Sequence, residues 1–156
     1  MYTLEQLNDL EQIRSLRVLY SHFYDSQDLE GLCSLFTGDA VCRWDSRHGG
    51  VWQGMEAIRR NYRDCFGKYP GYLSVLHCVT NHWVELTGES TARGRCFLLD
   101  FNFLETGRPN PLGTIGVYDD LYAKTPEGWK FRQVSLDFLW PIRVILNPPP
   151  FESTER

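Results

Sequence analysis

An aspartate at position 25 and a histidine at position 77 are the two side chains of this sequence best suited to proton transfer. Asp25 falls at the C-terminal end of a long amphipathic stretch. A carboxylate there faces the negative end of the helix dipole and needs a compensating partner; a histidine N–H is a suitable one. His77 lies in an apolar run, alternating with Val75 and Val79, so the three share one face of a strand. A carboxylate bonded to one imidazole nitrogen fixes the tautomer and leaves the other nitrogen as a base. Abstraction of a proton from carbon near neutral pH needs that arrangement. Tyr24 adjoins Asp25, and Tyr20 lies one turn earlier; both phenols are candidate donors to a developing oxyanion. Asp100 interrupts the apolar run Phe97-Leu98-Leu99 and Phe101 and is expected to point into a pocket. Each residue also has a plainer reading: Asp25 as the close of a turn, His77 as a satisfied core histidine, the tyrosines as packing.

Long elements are needed to hold these groups. Thr3 and Gln6 form a capping-box pattern, and Leu7, Leu10, Ile13, Leu16, Tyr20 and Phe23 follow at helical spacing. The first helix therefore ends near Asp25, and Asp28 is placed to cap a short second helix through Phe36. Thr37-Gly38-Asp39 reads as a turn, 40–44 as a strand and 45–50 as a loop. A third helix is expected over 55–66, stopped by Gly67. Beyond Gly71 the period changes to that of strands, over 73–87, 91–104, 113–124 and 129–139. Helices followed by long antiparallel strands give the α+β class. Strands of that length exceed what a small domain needs, so the sheet must bend, with Gly94 and Gly116 as bend points. The expected shape is a cone-shaped α+β barrel, a long curved antiparallel sheet wrapped around the N-terminal helices, with a pocket at its open end.

Composition narrows the function classes. The net charge of -4 gives no electrostatic footprint for nucleic acid. No stretch reaches the about 18 apolar residues of a membrane helix. The polar start of the chain reads as helix rather than secretory leader. Five scattered cysteines without a Cys-x-x-Cys pair argue for a reducing, cytoplasmic setting and against a zinc site. No glycine-rich nucleotide loop is present, so no cofactor and no metal is expected. His22, His48 and His82 lack a recognisable partner and read as structural or exposed. Asp119 and Asp120 read as sheet or surface acids. Aromatic residues form 14% of the chain, which demands burial in a core, an interface or a pocket wall.

Several strings, in order, carry a resemblance that covers nearly the whole chain: Ile13-x-x-Leu16 leading to Tyr20; Tyr24-Asp25-Ser26-Gln27-Asp28; Leu35-Phe36-Thr37-Gly38-Asp39-Ala40; Leu76-His77-Cys78-Val79-Thr80-Asn81; and Gly128-Trp129-Lys130-Phe131. Together they resemble the SnoaL-like branch of the nuclear transport factor 2-like superfamily, which has the cystatin-like fold. Tyr24-Asp25-Ser26 with Asp28 is similar to the corresponding stretch of scytalone dehydratases. Asp25 and His77 fall where hexachlorocyclohexane dehydrochlorinases have an Asp–His pair. The resemblance implies a histidine base oriented by an aspartate, with Tyr24 helping to hold a water that polarises a substrate carbonyl. Trp44 falls near a second such tyrosine, offering an N–H donor only. The second active-site histidine of scytalone dehydratases has no counterpart in Leu98-Leu99-Asp100-Phe101-Asn102, and their serine and asparagine fall near Gly116 and Tyr118. The dehydrochlorinase lysine falls at Tyr20.

The combined expectation is a cofactor-independent lyase or isomerase. His77 and Asp25 would remove a proton next to an electron-withdrawing group, with Tyr24 and Tyr20 as donors. The outcome would be dehydration, double-bond shift or ring closure. Tyr20, Trp44, Tyr118 and Asp100 are the expected substrate-binding positions, for a small, flat, largely apolar polyketide-, terpenoid- or phenol-like molecule. Residues 1–140 are expected to form the single domain and 141–156 a tail able to close over the pocket. A homodimer or homotrimer is expected from the apolar sheet face. The alternative is a non-catalytic ligand-binding or dimerisation module on the same fold.

Overall fold

The first helix, α1 (Leu4–Asp25), begins where side chains satisfy its free N–H groups: Thr3 Oγ1 accepts from Gln6 N at 3.2 Å, and Thr3 N donates to Gln6 Oε1 at 2.9 Å. The structure, a computed structural model, describes residues 1–68, 71, 73–104 and 109–148. After α1 come α2 (Leu29–Ser34), β1 (Phe36–Arg43), a 3-10 turn (Ser46–His48), β2 (Val51–Gln53), α3 (Gly54–Lys68), β3 (Val75–Leu86), β4 (Thr91–Asn102), β5 (Leu112–Thr125) and β6 (Gly128–Trp140). The six strands form one sheet in the order β2-β1-β6-β5-β4-β3. Neighbours are antiparallel except β1 and β6, which run parallel. The fold is the α+β arrangement expected, with α1 laid across β3 and β6 and α3 against β1 and β2.

Curvature has identifiable causes. Register shifts interrupt the ladders at Thr80/Trp83, Asp100/Phe101, Ile115/Gly116 and Leu121/Tyr122, and each such irregularity bends the strand that carries it. Gly116 sits at one of them. A Cβ there would lie 2.7 Å from Leu136 Cδ1 and 2.9 Å from Asp137 O, so space beneath the strand demands the glycine. At Gly94 the obstacle is Trp83 O, 2.9 Å from where a Cβ would be.

Several expectations are corrected. Thr37-Gly38-Asp39 is part of β1, in a stretch where the register with β6 shifts between Phe36 and Val41. The loop 45–50 contains the 3-10 turn and leads into β2, too short to show a period. Gly67 does not stop α3, which reaches Lys68. Leu7 is exposed, beyond the stripe formed by Leu10, Ile13, Leu16 and Tyr20. Of the tail expected to close over the pocket, residues 149–156 lie outside the described residues, and Val144 packs against the core. Val144 pairs with the backbone of Phe138, past the end of the β1–β6 ladder. Leu146 N and Asn147 N then donate to Asp137 Oδ1, and Pro148 O accepts from Arg95 Nη2. Asp137 and Arg95 alternate with the inward Leu136, Phe138 and Cys96, so residues 146–148 lie on the outer face, away from the interior. Pro149, Pro150 and Phe151, like Thr106 and Gly107, lie outside the described residues.

Asp120 is the largest correction. It is fully buried, because β5 alternation turns Asp119 outward to Arg95 and Asp120 inward. Its Oδ2 accepts from Arg17 Nε at 3.1 Å, Arg17 Nη2 at 2.5 Å and Tyr122 Oη at 3.0 Å. Arg17 is also fully buried and occupies a stripe position on α1, four residues after Ile13 and three before Tyr20. Its guanidinium lies 3.8 Å from the Tyr118 ring centre and 4.6 Å from those of Tyr20 and Phe131. Burial pushes the Asp120 carboxyl up to about 6, against the pull of Arg17. Removing one partner strands the other charge in the core, at about 3–5 kcal/mol, whereas an apolar pair of similar volume avoids that penalty. Arg17→Met and Asp120→Leu alone should each lower stability by about that amount. The double variant should be more stable than either single one in urea unfolding followed by circular dichroism.

Candidate active site

Asp25 is the last residue of α1, and the chain around it is closed by local bonds. Ser26 N donates to His22 O at 3.0 Å, and Gln27 adopts φ +59, turning the chain toward Asp28. Asp28 caps α2, its carboxylate accepting from Gly31 N at 2.9 Å. The free carbonyl of Asp25 accepts from Leu73 N at 3.1 Å, which ties the helix end to the approach of β3.

That anchor brings Asp25 against His77. Oδ2 accepts the backbone N–H of His77 at 3.0 Å, and Oδ1 lies 2.6 Å from His77 Nδ1. Both carboxylate oxygens are thus used on a single residue, one fixing the strand and the other the ring. A carboxylate only accepts, so Nδ1 carries the proton and Nε2 is the ring nitrogen left for the cavity that His77 lines. The two side chains are 7% and 11% exposed, so little water competes for the contact. Tyr24 holds the ring from the side, its centroid 4.5 Å from that of His77 and 5.2 Å from that of Phe66.

The cavity has a volume of about 690 Å³. His77, Tyr24, Tyr20, Trp44, Tyr118 and Asp100 all line it, and Asp25 stands behind His77. The structure thus brings together every position singled out from sequence. Their free groups differ. The Tyr20 hydroxyl lies 2.9 Å from that of Tyr62, a contact in which either oxygen can be the donor, and both phenols are fully buried. Burial pushes both phenols well above the usual tyrosine range. Trp44 Nε1 and Asp100 Oδ1 are buried with no hydrogen-bond partner. Burial pushes the Asp100 carboxyl up, the Asp25 charge adding to this and His77 opposing it.

Contributions from α3 and from the loop after β1 escaped the sequence reading. Tyr62 of α3 joins Tyr20 at the cavity floor; its place in the stripe with Ile58 and Cys65 gave it the look of plain core. The loop after β1 supplies Arg47, His48 and Gly49 to the rim. Asp45 organises that loop, accepting from Arg47 N at 2.6 Å and Arg47 Nη2 at 2.5 Å, and these bonds pull its carboxyl down to about 2. His48 is half-exposed, within the expectation that it is structural or exposed, and stacks on Phe138 with centroids 4.1 Å apart. Among the described residues, no group of three or more His, Cys, Asp or Glu is disposed to hold a metal ion.

Comparison with known proteins agrees with this architecture. The model of the SnoaL-like domain matches residues 5–135. An uncharacterised protein of Mycobacterium tuberculosis, with a counterpart in Mycobacterium bovis, is 27% identical over 130 residues, 83% of this chain and 85% of the relative. A nuclear transport factor 2-like protein with a cystatin-like fold from Novosphingobium aromaticivorans superposes with a TM-score of 0.74 at 22% identity, covering 89% of this chain and 87% of that one. A second protein of that organism, provisionally named a scytalone dehydratase, gives a TM-score of 0.74 at 22% identity and 86% coverage of both chains. With the family model spanning both α1 and the long strands, the chain belongs to the SnoaL-like family, built on the nuclear transport factor 2-like, cystatin-like fold.

Proposed function

We propose that the protein is a cofactor-independent lyase or isomerase in which His77 removes a proton from carbon next to a carbonyl. The observation that carries this reading is the double use of the Asp25 carboxylate on His77 at the wall of an aromatic cavity. Nε2 is the accepting base, and Asp25 stabilises the imidazolium that forms. Trp44 Nε1–H, buried and unpartnered, is a donor for the developing enolate oxygen. Tyr24 shapes the base side of the site, while Tyr20 acts through its contact with Tyr62 as floor. The ring-rich lining suits a small, flat, largely apolar substrate of the polyketide, terpenoid or phenol type. Among the described residues, no helix is long and apolar enough to cross a membrane, and the five cysteines are free, which suits the cytoplasm.

We further propose that the protein works as a homodimer or homotrimer joined through the outer sheet face. Phe97 is 46% exposed there, directly across from Val117 and two residues from Leu99, an apolar surface suited to covering by a second copy.

Exchange of ketone α-protons into D2O, followed by proton NMR over a panel of aryl and cyclic ketones, tests the base. Wild type should exchange them. His77→Ala should lose a factor of about 10²–10⁴, with Asp25→Asn in between. Equal exchange by wild type and His77→Ala would end the histidine-base reading in favour of a binding module. Sedimentation velocity checks the assembly: wild type should run as a dimer or trimer and Phe97→Asp should shift toward monomer, while a monomeric wild type would refute the proposal.

A further inference from the structure

Asp100 lies directly across the β3–β4 ladder from His77. Residues opposed in this way in an antiparallel pair have side chains starting about 4.5–5.5 Å apart on one face of the sheet. Both line the cavity. Their surroundings differ sharply. His77 is oriented by a carboxylate, whereas Asp100 Oδ1 is buried and meets no donor. Burial with an unpaired oxygen disfavours the ionised carboxylate more than the neutral acid. Across β5, Gly113 and Thr114 bring no charge to Asp100. Burial first, with the Asp25 charge adding to it and His77 opposing, pushes its carboxyl up. Across the ladder the site thus sets an oriented base beside a carboxyl whose protonated form burial favours, two environments that push acid and base roles apart.

We propose that Asp100 is a second catalytic residue, the general acid that protonates an oxygen leaving from the carbon β to the substrate carbonyl, which commits the site to elimination rather than double-bond shift. The inference rests on His77 as the base. His77 Nε2 takes the α-proton, and the C–H electron pair passes to the enolate, whose oxygen Trp44 Nε1–H can hold. That pair then forms the C=C bond as the C–O bond to the β-carbon breaks. The departing oxygen keeps the C–O electrons and takes the Asp100 proton, leaving as water when the substrate is an alcohol. The products are an enone, water, imidazolium and carboxylate. Transfer of the imidazolium proton to Asp100 through solvent restores the starting state, so no oxidant, reductant or metal enters the balance.

The test uses the full chain and 4-hydroxy-4-phenylbutan-2-one in D2O. Proton NMR follows exchange at the α-carbon, and ultraviolet absorbance follows formation of the conjugated enone. Exchange requires the base alone; elimination requires the acid as well. Wild type should do both. Asp100→Asn should lower the ratio of elimination to exchange by a factor of about 10² or more, and Asp100→Glu should restore part of it. Thermal unfolding of each variant separates a folding defect from a chemical one, and the ratio itself is insensitive to the folded fraction. An Asp100→Asn ratio equal to that of wild type, or a wild type that exchanges without eliminating, overturns the role of Asp100. Exchange by His77→Ala at the wild-type rate overturns the base reading instead. A wild type that does neither overturns both.

Discussion

The Asp25 carboxylate spends both of its oxygens on residue 77, and the working geometry of the molecule follows from that contact. One oxygen takes a backbone N–H that faces the helix end. The other takes the ring N–H. A carboxylate at a helix C-terminus is poorly placed against the helix dipole, and here two donors from β3 offset that placement. The clamp therefore does structural and chemical work at once: it pins α1 to β3 and leaves His77 one defined tautomer. The Asp25 carbonyl bonded to Leu73 N adds a third tether between the same two elements.

The rest of the interior can be understood as support for that contact. Four long strands bend at bulges and at two glycines placed where a side chain would collide with the neighbouring strand or its side chains, which leaves a cavity beside α1 instead of a filled core. The cavity floor is a stack of rings, Tyr20 against Tyr24, Tyr62 and Tyr118, with the Arg17 guanidinium beneath Tyr118. Arg17 is held by Asp120, so a buried ion pair fixes the rings that face the cavity. Such a pair is a weak source of stability; its evident contribution is to the position of the rings. The abundant aromatic residues thus separate into those that surround the cavity, those in the deeper core such as Phe131 and Trp129, and those on the outer face such as Phe97.

How far this was legible in the sequence depended on whether a residue was out of place in its local pattern. Asp25 at a helix end, His77 in an apolar strand and Asp100 among leucines and phenylalanines all break their surroundings, and all lie at the cavity. Tyr62 and Phe138 fit their apolar stripes too well to be singled out. Arg17 carries a charge onto the buried side of α1, beside the apolar stripe, where the periodicity alone gives no sign of it. Asp120 was hidden by its neighbour, since an Asp-Asp pair reads as surface until strand alternation is applied to each residue separately. The parallel pairing of β1 with β6 joins segments some ninety residues apart and has no local signature, so the start of β1 was read as a turn. The path of residues 141–148 depends on Asp137 and Arg95 facing outward, which only the assembled sheet defines.

The state of the His77 ring tests the account most directly. Nitrogen-15 NMR of protein labelled at histidine distinguishes the two neutral tautomers by the chemical shifts of Nδ1 and Nε2. With the ring neutral, His77 should carry its proton on Nδ1, bonded to Asp25, with a free lone pair on Nε2. A neutral His77 found with its proton on Nε2 would contradict the account, because the nitrogen facing the cavity would then be unable to accept a proton.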